Sequence, residues 1–148
     1  MAYDIIFPLP KGWTSEIGTY MDESGTEVTH FEAHLASRAK DREDAMIDIY
    51  VGDMPEDETA EDQAFANYAE TVGFDESDPE DFNPIEKFKF NGRNAWGFDA
   101  LCEDESPMRF IAQEVRAGVL AIIVFAAVDE AKLNDTAALV ERGFRVGK

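Results

Sequence analysis

The feature of this chain that most constrains its fold is an alternation of apolar and polar residues with a period of two. In residues 27–36, Thr29, Phe31, Ala33 and Leu35 fall on one face, and mostly polar residues occupy the alternate positions. Successive side chains of a β-strand point to opposite sides, so this period is typical of a strand that buries one face. The segment is therefore predicted to be a half-buried strand.

Similar segments recur along the chain and are separated by turn signals. Further strands are predicted over residues 15–22, 45–51, 86–90, 94–102, 108–115 and 119–128. Gly25 lies in a predicted hairpin loop, and Gly118 lies at another predicted turn. The pair Asn91-Gly92 suits a type I′ turn, whose two central residues need positive φ. Turns this short join antiparallel neighbours, so the strands are predicted to form antiparallel hairpins.

Two segments instead carry a helical period. Thr59 precedes the first segment and forms a near capping box with Asp62, and Gly73 ends it. Its predicted apolar stripe consists of Phe65, Tyr68, Ala69 and Val72. The second predicted helix covers about residues 130–142 and has Gly143 as its C-terminal cap. Its stripe consists of Leu133, Ala137, Val140 and Phe144.

The order of these elements predicts the α+β class. We expect an antiparallel β-sheet of about six or seven strands with two main helices packed on it. The chain has 148 residues, of which 45% are apolar, and no linker divides it. This length suits one core, so residues 1–148 are predicted to form a single domain.

Four stretches in this order resemble the PsbP-like fold family. They are a proline-rich start that ends in Gly-Trp (residues 7–13), a hairpin around Asn-Gly (Lys87-Phe-Lys-Phe-Asn-Gly-Arg-Asn-Ala-Trp96), a long apolar strand (residues 120–128) and a closing Gly-Phe-Arg-Val (residues 143–146). The resemblance is to an uncharacterised bacterial branch and spans nearly the whole chain. It implies a single PsbP-like domain that binds other proteins. No functional residue of the family matches a position here.

The charge of the chain excludes several classes of partner. Thirteen basic and 32 acidic residues give a formal net charge of −19. This field repels phosphate backbones and anionic lipids, so we expect no nucleic-acid binding and no membrane association. The N-terminus shows neither the basic nor the long apolar region of a signal peptide, and the single cysteine fits a reducing compartment. These features favour a soluble cytoplasmic protein.

Part of the acidic excess is concentrated in two segments that are predicted to be loops. The candidate partner contacts in them are Glu56, Asp57, Glu58, Asp78, Glu80 and Asp81. Solvated loops of this kind favour solubility, and a basic partner protein could also dock on them. Neither segment has the ligand spacing of a calcium-binding loop, so no calcium site is predicted.

The histidines and the cysteine do not form a catalytic pattern. His30 and His34 are the only histidines. On a strand they lie about 13 Å apart, too far to share one ion, so we expect two solvent-facing histidines and no metal site. Cys102 ends a predicted apolar strand, and the acidic residues 103–105 that follow disfavour a thiolate, so it is predicted to be a buried core residue.

These observations predict a non-enzymatic protein-binding module, such as a chaperone, an adaptor or an immunity-type partner. No glycine-rich phosphate loop or nucleophile motif is present, and no cofactor is expected. The alternatives are an acidic nucleic-acid mimic that inhibits a basic protein, and a small-ligand carrier. The partner is expected to be another protein, with a basic protein as one candidate, and the sequence specifies no oligomeric state.

The net charge also generates a prediction about stability. Self-repulsion at −19 destabilises the compact state, and salt screens it. The melting temperature is therefore expected to rise between low and moderate ionic strength, as measured by thermal denaturation. A melting temperature that is flat or falls over this range would show that paired charges dominate.

Overall fold

The computed structural model describes residues 3–36, 43–72, 85–102 and 105–147. Nine strands and two helices lie in these ranges, and we number them in chain order. They are β1 (Ile5–Ile6), β2 (Trp13–Met21), β3 (Glu27–Ala36), β4 (Glu43–Asp53), α1 (Ala60–Val72), β5 (Glu86–Phe90), β6 (Arg93–Leu101), β7 (Pro107–Arg116), β8 (Val119–Ala127), α2 (Glu130–Gly143) and β9 (Arg145–Val146). The predicted α+β class is confirmed at the level of an antiparallel sheet with two helices.

Seven of the strands form one sheet in the order β2-β3-β4-β8-β7-β6-β5, and every pairing is antiparallel. Consecutive strands pair in two meanders, β2-β3-β4 and β5-β6-β7-β8. The pairing of β4 with β8 joins the meanders and runs without a break from Ala45 opposite Ala127 to Asp53 opposite Val119. β1 and β9 form a separate two-stranded pair that brings the chain ends together.

The strand β8 is apolar on both faces because both faces are covered. Ala121, Ile123 and Phe125 belong to the core that includes Leu133 and Val140 of α2. The alternate residues of β8 contact a second cluster, which contains Ala60 and Ala64 of α1. The two helices therefore lie on opposite faces of the sheet. This explains why β8 is a continuous apolar run and lacks the alternation of β3.

The helix α1 begins as predicted, and Tyr68 packs on the core as predicted, but Phe65 does not. Thr59 and Asp62 hydrogen-bond each other's backbone amides at 3.2 and 2.9 Å, which confirms the capping box. Ala60 and Ala64 are buried, whereas Phe65 is 38% exposed. The prediction that Phe65 faces the core was wrong, because close packing of α1 on β6 and β7 selects the small residues one position earlier. The side chains of Ala69 and Val72, and the predicted stop at Gly73, lie outside the described residues.

The end of α2 also differs from its prediction. The helix includes Gly143, and Phe144 is the C-terminal cap residue, with its amide bonded to the carbonyl of Val140. A Cβ at Gly143 would stand 3.0 Å from the ring of Phe7. This glycine therefore permits a close approach of the N-terminal segment and does not supply a left-handed cap. The predicted stripe residues Leu133, Val140 and Phe144 are buried.

The predicted turns are confirmed. Gly25, Gly92 and Gly118 all have positive φ, and Asn91 has φ of 55°, as a type I′ turn requires. Within the described residues, no helix is long and apolar enough to cross a membrane.

The packing of β6 against β7 generates a prediction. A Cβ added at Gly97 would lie 2.1 Å from the backbone carbonyl oxygen of Phe110, whereas nothing lies within 4 Å of a Cβ added at Gly18. Gly97→Ala is expected to lower the free energy of unfolding by at least about 2 kcal/mol. The matched change Gly18→Ala is expected to be neutral or to stabilise by up to about 1 kcal/mol. Urea denaturation of both variants measures the change in the free energy of unfolding. Equal changes in the two variants would refute the close approach of β7 to Gly97.

Candidate binding surface at the open half of the sheet

The helix α1 covers only part of its face of the sheet. It packs against β6 and β7, and on the same face the side chains of β3 and β4 are half-buried. The strand register places β3 and β4 side chains there together. We define the open face as the surface formed by Val28, His30, Glu32, His34, Met46, Asp48 and Tyr50.

Each histidine on the open face pairs with a carboxylate. Nε2 of His30 lies 2.8 Å from Oδ1 of Asp48, and Nε2 of His34 lies 3.0 Å from Oε2 of Glu32. The ring of His30 also stacks on Tyr50 with 4.4 Å between centroids and 1° between planes. The predicted shared face of the two histidines is observed. They are half-buried and contact different carboxylates, however, so the expectation of two solvent-facing side chains was incomplete.

The carboxylates give the open face a negative field. Burial raises the pKa of Tyr50, and the charges of Asp48 and Glu32 raise it further. Burial, followed by the charge of Asp22, also raises the pKa of Tyr20. Both phenols therefore stay neutral at physiological pH and serve as hydrogen-bonding aromatic surfaces. Such a surface suits a partner that carries positive charge.

A shallow groove borders the open face. It has a volume of about 180 Å³, and its walls include Tyr20, Tyr50, Gln63, Leu120 and Ile122. Two other cavities in the described part measure about 170 and 210 Å³. Pockets for drug-sized ligands are usually about 300–1,000 Å³. These three cavities are smaller than that, so they add no support for the small-ligand carrier.

The strand β2 forms an exposed edge of the sheet. Only Trp13 is half-buried, and the remaining eight residues are exposed. Ile17, Tyr20 and Met21 are 57%, 46% and 63% exposed. The register of β2 with β3 shows no bulge. The strand contains neither lysine nor proline; its sequence is Trp-Thr-Ser-Glu-Ile-Gly-Thr-Tyr-Met. We define this strand as the β2 edge. Sequence reasoning identified the strand but did not place it at an edge.

The opposite edge of the sheet is protected. β5 has five residues and carries Lys87 and Lys89. Nζ of Lys87 lies 5.7 Å from the centroid of the Trp96 ring. Short edge strands and lysines oppose the addition of a further strand. The two edges therefore differ in their capacity to pair with another chain.

The structure describes only one of the two predicted acidic contact segments. Glu56, Asp57 and Glu58 are exposed before α1, and Glu58 accepts a hydrogen bond of 2.7 Å from Gln63. The candidates Asp78, Glu80 and Asp81 lie outside the described residues. The described segment is a solvated turn next to the groove.

Cys102 lies just beyond the end of β6, and it is half-buried. Its amide donates to the carbonyl of Ser106, and its carbonyl accepts from the amide of Glu105. The predicted burial in the core was therefore overstated, because the strand ends at the exposed Leu101. The cysteine belongs to a turn at the far side of the sheet from the β2 edge.

Comparison of the chain with protein-family models, with curated proteins and with solved structures finds no match. The candidate surface is therefore interpreted from its own geometry.

The loop that joins β2 to β3 depends on one carboxylate. Oδ1 of Asp22 accepts hydrogen bonds from the amides of Ser24 and Thr26, each 2.9 Å long, and from the Ser24 hydroxyl at 2.7 Å. The Ser24 hydroxyl, followed by the Thr26 amide, holds the pKa of Asp22 below its ordinary value. The ionised side chain therefore fixes the hairpin that carries the β2 edge.

We predict that this fixation is lost in acid. Because the pKa of Asp22 is lower in the folded than in the unfolded chain, its stabilisation is complete above about pH 4 and is lost as the pH falls through the folded-state pKa. Asp22→Ala should speed amide exchange at Ser24 and Thr26 at neutral pH, as measured by NMR. Glu23→Ala, in the same loop, is the control, and equal exchange in both variants would contradict the prediction.

Proposed function

We propose that the protein is a non-enzymatic protein-binding module, and that its β2 edge binds an extended basic segment of a partner protein. In this mode the partner adds a strand to the sheet. Backbone hydrogen bonds supply affinity, and alternate side chains supply specificity. A chaperone, an adaptor or an immunity-type partner could each act in this way.

The observation that supports this proposal most directly is the unprotected β2 edge. Exposed edges are usually blunted by charged side chains (lysine above all), proline, a bulge or a short strand, because their free amides and carbonyls template pairing with other chains. The β2 edge is nine residues long and has no lysine, proline or bulge, with Glu16 as its one charged residue, whereas β5 is short and has two lysines. Ile17 and Met21 add exposed apolar side chains on one face of β2.

The charge around the β2 edge supports a basic partner. Glu16 lies within the edge, and Asp22 and Glu23 follow it; all three are exposed. The whole chain carries a formal net charge of −19. Electrostatic complementarity of this kind speeds association and rejects acidic competitors. A segment with lysine or arginine at alternate positions fits this surface best.

The assignment to the PsbP-like family is also a proposal. It is supported by the order of elements along the chain, with one helix between β4 and β5 and a second helix after β8. The protein-binding role that the resemblance implies agrees with the proposal made from the β2 edge.

A substitution at the β2 edge tests the function. Ile17→Lys adds a gatekeeper charge in the middle of the edge at an exposed position. It is expected to reduce recovery of a stoichiometric partner from native lysate at least about tenfold, because the lysine repels a basic segment and opposes strand addition. Quantitative mass spectrometry of the recovered protein measures the effect.

Leu101→Lys is the matched control, since Leu101 is 64% exposed on β6, far from β2 in the strand order. This variant should recover as much of the partner as the unmodified protein does. Undiminished recovery by Ile17→Lys would refute the proposed edge. A loss of partner recovery that is seen only when Glu56 and Glu58 are changed to glutamine would instead favour the acidic mimic.

A further inference from the structure

Three carboxylates stand in one row across the open half of the sheet. Glu16 of β2 lies opposite Glu32 of β3, and Glu32 lies opposite Asp48 of β4. Like charges directly opposite each other on neighbouring strands are destabilising. The row therefore concentrates negative charge at one place on the sheet, where a bound cation would be favourable.

His30 completes a set of metal ligands at this row. One ligand atom from each of His30, Glu32 and Asp48 lies within 4.8 Å of the others. A tetrahedral ion with bonds of about 2.1 Å separates its ligands by about 3.4 Å. Nε2 of His30 and Oδ1 of Asp48 are already 2.8 Å apart. The separations of the ligand atoms, 2.8 Å for this pair and at most 4.8 Å for the others, lie on either side of that value.

The surroundings hold these ligands in place. The β3–β4 register fixes their backbones, and Tyr50 stacks on the ring of His30. His34 hydrogen-bonds Oε2 of Glu32, and a carboxylate has a second oxygen that can bind an ion. Such outer contacts orient ligands in metal sites. The side chains of His30 and Asp48 are 29% and 15% exposed, so solvent reaches the site from one side.

We propose that His30, Glu32 and Asp48 bind a divalent transition-metal ion of the Zn²⁺ type, and that His34 positions Glu32. One imidazole and two carboxylates form a mixed nitrogen and oxygen set that suits Zn²⁺ better than Ca²⁺ or Mg²⁺, which prefer oxygen ligands alone. Three protein ligands leave a coordination position for water or for a donor group of a partner. The site does not depend on strand addition at the β2 edge.

This proposal differs from the expectation of no metal site. For the histidines, that expectation considered only an ion shared by His30 and His34. The β3–β4 register supplies Asp48 in place of the second histidine, and a register between strands is not visible in the spacing of residues along one strand.

Calorimetric titration of the tag-free full chain with ZnCl₂ tests the proposal. We expect one ion per chain, no displacement by excess Ca²⁺, and d–d absorption bands on titration with CoCl₂. Asp48→Asn and His30→Gln should each weaken Zn²⁺ binding at least about tenfold, and His34→Gln should weaken it by about 10–100-fold. Thermal denaturation without metal checks that each variant folds.

The double variant Glu56→Gln/Glu58→Gln is the control for charge, because it removes two exposed carboxylates outside the site and should keep full Zn²⁺ affinity. An equal loss in this variant would show diffuse attraction to an acidic protein and would overturn the proposal. The unmodified chain gives a second readout, since it has only two histidines. Zn²⁺ should shift the NMR resonances of the His30 ring nitrogens, and unchanged resonances at saturating Zn²⁺ would also overturn the proposal.

Discussion

The pairing of β4 with β8 is the constraint on which the rest of the structure depends. It is the contact between two meanders that could otherwise form from local hairpins, and it joins residues that are 66 to 82 positions apart along the chain. Ile47 and Ile49 of β4 and Ile123 and Phe125 of β8 are fully buried at this junction. Burial of several such side chains contributes about 1.5–3 kcal/mol each, so the junction is both the centre of the sheet and the centre of its core.

The pairing of β4 with β8 determines which surfaces stay accessible. It sends β2 and β5 to opposite edges, and it leaves α1 over the β6–β7 side of one face. The open face and the β2 edge consequently lie on the same meander, around β3. Strand addition at the edge and ion binding at His30, Glu32 and Asp48 would thus use neighbouring surfaces, while Cys102 lies at the far side.

Much of the fold was predictable because local chemistry specifies it. The alternation around Phe31 predicted β3, the Thr59–Asp62 pair predicted the start of α1, and Asn91-Gly92 predicted the β5–β6 turn. Local sequence could not predict which of two neighbouring apolar residues on a helix faces the sheet. Phe65 is larger than Ala64, but helix α1 approaches the sheet closely, and the small residue is the one that faces it.

The candidate site was less predictable, because it depends on strand order and register. The shared face of His30 and His34 followed from the period of two. Their carboxylate partners followed only partly, since Asp48 comes from β4 and its position opposite Glu32 is set by the β3–β4 pairing. Amide hydrogen exchange of the free protein tests most directly whether β2 is an unpaired edge of a sheet whose centre is the pairing of β4 with β8. The account predicts the slowest exchange in β4 and β8, with about half of the β2 amides, those directed away from β3, exchanging rapidly. Uniform protection of β2 at the level of β4 would contradict it.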